Sequence, residues 1–80
     1  SELNIHLVIQ PNPIAESVTI SWNGDIEELI LMDASGKTLR RISVVGLSHL
    51  SINLKEFAAG IYYMDAYQLK GRQCYKLIKF

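Results

Sequence analysis

The sequence predicts an all-β fold, an immunoglobulin-like antiparallel β-sandwich of about seven short strands. Three observations carry that expectation. Ser17–Trp22 and Leu50–Leu54 alternate apolar and polar residues, the period of a half-buried strand. Turn-forming residues recur about every 8–12 positions, the spacing of a sandwich. No stretch repeats its apolar residues at the helical period of about 3.6. The Cys…Trp…Cys pattern of antibody domains is absent, so closure rests on packing Trp22 against leucines and isoleucines.

Leu3–Ile9 reads as the first strand, with Leu3, Ile5, Leu7 and Ile9 on one face. Gln10-Pro11-Asn12-Pro13 stops it, because two prolines fix two φ angles and remove two donors. Ser17–Trp22 follows, directing Val18, Ile20 and Trp22 inward. Asn23-Gly24-Asp25 carries the strongest short hairpin signal, which predicts that the second and third strands pair. Ile26–Asp33 holds the continuous run Leu29-Ile30-Leu31-Met32. Such a run fits a strand covered on both faces or a helix fragment, and its short length between turns favours a strand. Ala34-Ser35-Gly36-Lys37 is a second turn. Thr38–Val45 is the fourth strand, with Leu39, Ile42 and Val44 as candidate core residues and Arg40-Arg41 on the solvent side. Gly46–His49 is a loop and Leu50–Leu54 the fifth strand. Lys55–Gly60 is a crossing segment with room for one helical turn.

Ala59–Phe80 reads as two final strands bent at Lys70-Gly71. A two-residue loop there, or a four-residue loop over Leu69–Arg72, sets Asp65 opposite Lys76 and Met64 opposite Leu77. A three-residue loop would slide the pairing by one and mix the faces. In the matched register Tyr62, Met64, Ala66, Tyr75 and Leu77 share one face. Tyr63, Tyr67, Ile78 and Phe80 share the other, with Asp65 and Lys76 among them. One face must be core, which leaves the other unusually apolar. Its tyrosines suit half-buried packing or a partner surface, and packing is the favoured reading.

The 80 residues make a single domain, 1–80, near the lower size limit for a stable core. Eight basic and eight acidic residues cancel, so nothing electrostatic favours a nucleic acid or an anionic membrane as partner. Cys74 is the only cysteine, which excludes an internal disulfide and a CxxC metal knuckle. No apolar run approaches the roughly 18 residues of a membrane span. There is no secretory signal at the start, and Ser1 in place of methionine points to a processed or excised fragment.

Candidate chemistry is sparse. His6 and His49 lack metal-ligand spacing and read as surface histidines. Cys74 with either histidine could imitate a Cys/His pair, but an isolated thiol is usually a small apolar side chain. Asp25, Glu27, Glu28 and Asp33 could form a calcium corner, which needs several oxygens from one loop; a solvated acidic turn is the favoured reading. The glycines are scattered and form no phosphate-cradling loop. No catalytic residue, metal site, cofactor or small-molecule substrate is expected, and the chain is not expected to be an enzyme.

Four stretches, in order, resemble a known family. They are Pro11-Asn12-Pro13 with the strand Ser17–Trp22 after it, Met32-Asp33-Ala34-Ser35-Gly36-Lys37, Leu54–Tyr62 with its Ala59-Gly60-Ile61-Tyr62, and Lys76-Leu77-Ile78-Lys79. Together they resemble the type A C-terminal sorting domain of the type IX secretion system, found at the end of proteins exported by Bacteroidota. The resemblance covers residues from about 7 to 80. Gln10 stands where the family often has an aromatic, and Phe80 follows the closing lysine.

The resemblance implies an export address for an N-terminal cargo protein. Such a domain folds in the periplasm and is recognised by the type IX translocon. It then crosses to the outer membrane surface or is secreted. A sortase component usually removes it and joins the cargo to lipopolysaccharide. On this reading Lys76, Leu77, Ile78, Lys79 and Phe80 form the recognised end. Pro11, Asn12, Pro13, Asp33, Gly36, Gly60 and Tyr62 form the structural motif. The apolar end also invites self-association through an edge strand. The alternative is an accessory β-sandwich of an extracellular enzyme, either a carbohydrate-binding or a spacer module, with Trp22 and the tyrosines stacking on sugars.

Overall fold

The computed structural model describes residues 6–10 and 16–80. Seven strands follow one another: β1 Leu7–Gln10, β2 Ser17–Trp22, β3 Glu28–Asp33, β4 Thr38–Ser43, β5 His49–Asn53, β6 Gly60–Gln68 and β7 Gly71–Lys79. They form two antiparallel sheets, β1-β2-β5 and β4-β3-β6-β7. This Greek-key order is that of an immunoglobulin-type sandwich, as the strand pattern predicts. Pro11, Asn12 and Pro13, and Leu3 and Ile5 of the expected first strand, lie outside the described residues.

The core forms where the inward residues of both sheets meet. Val18, Ile20 and Trp22 of β2 pack with Leu29 and Leu31 of β3 and with Tyr62, Met64, Ala66 and Leu77 of the last two strands. Ile26, Val44, Ile52 and Leu54 close its ends. Trp22 therefore stands in the core, as closure without a disulfide requires. Leu39 and Ile42 pack against the core only partly buried. The register of β3 on β4 shifts after Leu31, so Leu31 faces Arg40 while Met32 faces Thr38. That shift accommodates Leu39 as an extra residue and leaves Arg40 half-buried rather than in solvent.

Two expectations are corrected. The hairpin of the second and third strands does not form, because Asn23-Gly24-Asp25 carries the chain from one sheet to the other. Asn23 instead closes the end of β1: its N–H donates to the His6 carbonyl at 3.4 Å, and its Oδ1 accepts the His6 N–H at 2.8 Å. The cause lies in β3. Leu29, Ile30 and Leu31 are all buried, so this strand takes a central place, flanked by β4 and β6. The final hairpin also turns earlier than expected. Its loop is Leu69-Lys70, with Gln68 paired to Gly71. Asp65 therefore faces Cys74, Tyr63 faces Lys76 and Tyr62 faces Leu77. A slip of two residues preserves which side chains share a face while changing every partner.

Smaller boundaries differ too. The fourth strand ends at Ser43, and His49 belongs to β5 rather than to the loop before it. The crossing segment forms no helix; a single turn is closed by the Phe57 N–H on the Leu54 carbonyl at 3.0 Å.

Candidate functional site

The turn between β3 and β4 is built by Asp33 and Gly36. The Asp33 N–H donates to the Lys37 carbonyl at 2.9 Å, and the Gly36 N–H donates to the Asp33 carbonyl at 3.0 Å. This is a three-residue hairpin loop ending in a left-handed residue, and Gly36 supplies that conformation with φ +91°. Asp33 Oδ1 accepts the Ser35 N–H at 2.9 Å, the Ser35 hydroxyl at 2.7 Å and the Lys37 N–H at 2.9 Å. The Ser35 hydroxyl, followed by the Lys37 N–H, holds the carboxyl below its ordinary value. A depressed folded-state pKa adds stability that is complete above the unfolded value of about 4 and is lost as pH falls through the folded one. Asp33→Asn is therefore expected to flatten the acid side of the stability profile. Urea midpoints measured from neutral pH down to acid would check this; an unchanged acid slope would count against it.

A second construction ties the β5–β6 corner to the chain end. The Tyr62 hydroxyl donates to the Ala58 carbonyl, four residues upstream. This is the tyrosine corner of immunoglobulin-type folds, near the start of the strand that follows the crossing segment. The ring of Tyr62 packs on Phe57, with centroids 6.1 Å apart. Arg40 lies over Phe57 at 5.3 Å from the centroid and pairs with Glu56, which joins β4 to the same corner. Gly60 begins β6 at φ +153°, a conformation that strains other residues, although the space around it is open. Tyr62→Phe removes only the hydroxyl and leaves the carbonyl without its donor. The expected loss is about 1–2 kcal/mol, read from chemical denaturation; a loss below a few tenths would show that the corner contributes nothing.

The closing stretch divides by face. Leu77 is fully buried opposite Tyr62. Lys79 is buried as well, and its ammonium donates to the Phe57 carbonyl at the corner just described. Lys76, Ile78 and Phe80 point away from the core and are exposed. Ile78 lies directly opposite Ile61 on the outer face, and both are exposed. A partner that meets the folded domain reaches the side chains of Lys76, Ile78 and Phe80, while Leu77 and Lys79 hold β7 in place. Sequence reasoning grouped all five, because alternation does not say which parity the second sheet covers.

The same face holds a pair that the sequence reading missed. Asp65 is 2% exposed although it lies on the outer side. Its Oδ2 accepts from Arg72 Nη1 at 2.7 Å and from the Tyr67 hydroxyl at 3.4 Å. Arg72 also lies 5.9 Å from the centre of the Tyr67 ring, so ring and ion pair cover the carboxylate together. Cys74 stands across from Asp65, and burial, with the nearby carboxylate, pushes its thiol up. That makes it a poorer nucleophile than a free thiol. The signal was available: a loop one residue earlier moves Lys76 from directly opposite Asp65 and brings Arg72 within its diagonal reach. Of the four tyrosines, Tyr62 and Tyr75 face inward, and Tyr63 and Tyr67 are half-buried on the outer face.

The remaining candidates do not converge. His49 pairs with Ser21 in the three-stranded sheet, whereas Cys74 faces out from the four-stranded one. Asp33 lies at the opposite end of β3 from Glu28, which pairs with Arg41 at 3.4 Å. No group of three or more His, Cys, Asp or Glu among the described residues could hold a metal ion. Trp22, buried in the core, offers no platform for a sugar.

Residues 8–79 match the family described as secretion system C-terminal sorting domain. No curated protein and no solved structure matches the chain.

Proposed function

Since the chain belongs to the secretion system C-terminal sorting domain family, the sorting signals of type IX secretion, we propose that residues 1–80 are one domain serving as the export address of a cargo joined at their N-terminal side. The domain folds in the periplasm. The type IX translocon reads it there by the outward residues Lys76, Ile78 and Phe80. Domain and cargo cross the outer membrane to the cell surface or the medium. A sortase component then removes the domain and joins the cargo to lipopolysaccharide.

The observation that supports this reading most directly is the division of the closing stretch. Leu77 and Lys79 anchor β7 to the core and the corner, which presents Lys76, Ile78 and Phe80 on one exposed edge. The reading asks for no active site. Gly60 and Tyr62 then serve recognition indirectly, by building the corner that holds β7, and Asp33 and Gly36 by closing the turn between β3 and β4. Pro11, Asn12 and Pro13 belong to the same structural motif by resemblance.

The test is a reporter fused before residue 1 and given a periplasmic signal, in a bacterium that carries the type IX system. The expected result is reporter at the surface or in the medium, lost when the translocon is disabled. Reporter held in the periplasm with the domain folded would overturn the sorting role. Mass spectrometry of the exported reporter reads the sortase step: a shortened product joined to lipopolysaccharide is expected, and an intact fusion would remove that step alone.

A further inference from the structure

We propose that the outer edge of β7 accepts an extended acidic segment of a partner polypeptide as an added strand. Among the described residues β7 pairs only with β6. It runs for 9 residues, Gly71–Lys79, without proline, and its pairing with β6 is unbroken. A long strand with one unpaired side is a template for strand addition.

The hairpin decides which backbone groups are free. With a two-residue loop, the flanking Gln68 and Gly71 form a mutually hydrogen-bonded pair, and such pairs alternate along an antiparallel ladder. The N–H and C=O groups of Gly71, Gln73, Tyr75, Leu77 and Lys79 thus turn toward β6. Those of Arg72, Cys74, Lys76 and Ile78 turn outward. These four residues also carry the exposed side chains of the strand.

Charge selects the occupant. Arg72 and Lys76 stand four positions apart on the exposed face, and Lys70 lies in the exposed loop beside them. The one carboxylate on this face of the hairpin, Asp65, is buried against Arg72. A second copy of β7 fits poorly. Antiparallel registers centred on Cys74 or on Lys76 set cation against cation, and the register between them sets the cations diagonally. Neutral strands gain nothing from the cations Arg72 and Lys76 that line this edge. An antiparallel segment with acids opposite Arg72 and Lys76, a small residue opposite Cys74 and an apolar one opposite Ile78 satisfies the whole edge. It also covers the exposed Ile78. Only the assignment of that segment to the secretion machinery rests on the sorting role; the chemistry of the edge stands on its own.

The test uses isotope-labelled residues 1–80 and the peptide acetyl-Val-Thr-Glu-Thr-Ser-Thr-Glu-amide, with a control that has lysine for both glutamates. The amides of Arg72, Cys74, Lys76 and Ile78 are expected to shift and to gain exchange protection on adding the acidic peptide. Those of Gln73, Tyr75 and Leu77 are expected to be protected already. The acidic peptide is expected to bind about ten-fold more tightly than the control at low salt, with the gap closing at high salt. Lys76→Glu, an exposed change, is expected to abolish the preference. Equal binding of both peptides, or no alternating protection, would overturn the proposal. So would protection that grows with protein concentration alone, which would make the occupant a second copy. A reporter held in the periplasm while the edge still takes the acidic peptide would remove the sorting reading only.

Discussion

A chain ended after Tyr75 is expected to lose its cooperative fold. The deletion takes the Leu77 side chain, fully buried among residues of both sheets. Loss of a buried leucine side chain alone costs about 2–5 kcal/mol. A domain of this size has in all about 4–12 kcal/mol of stability. The deletion also removes 4 of the 9 residue pairs between β6 and β7, those of Lys76, Leu77, Ile78 and Lys79. With them goes the Lys79 hold on Phe57, which leaves the Tyr62 corner open on one side. Circular dichroism and an amide correlation spectrum would check this. A sharp thermal transition within a few degrees of the full chain would sink the argument. Lost export in such a truncation reports unfolding as much as lost recognition.

The outward triple variant Lys76→Glu, Ile78→Thr, Phe80→Thr separates the two. All three residues are exposed and none is in the core cluster. Surface substitutions of this kind stay within about 0.5 kcal/mol each, so the fold is expected to survive. Export of the fused reporter is expected to fall at least about ten-fold, with protein accumulating folded in the periplasm. The reverse variant, Leu77→Ala, is expected to lower the unfolding midpoint and to reduce export only as far as unfolding does. Unchanged export in the folded triple variant would move the recognised surface away from β7.

Much of the fold was legible because strands write their faces in a period of two. Val18, Ile20 and Trp22 could only point one way together, and the same parity set Tyr62, Met64 and Leu77 apart from Tyr63 and Ile78. Turn chemistry was legible where one residue type alone meets the conformation, as Gly36 does at φ +91°. Pairing was not. Asn23-Gly24 gave a strong hairpin signal, yet β3 needed neighbours on both sides, and a local signal carries no information about a distant β6. The slip in the last hairpin has a similar cause: Leu69-Lys70 and Lys70-Gly71 preserve the same faces, so the pattern does not choose between them.

Residue order by itself determined the strand content, the faces, the tight middle turn and the family to which the chain belongs. Each depends on neighbours within a few positions or on motif order along the chain. Tertiary structure alone decided that Lys79 is an anchor while Lys76 is exposed, and that Asp65 is buried beside Arg72. It also decided that, among the described residues, β7 stands at the edge of its sheet. Those facts depend on which sheet covers which face and on what lies across a strand. Such contacts join residues far apart in the chain, where no local preference reaches.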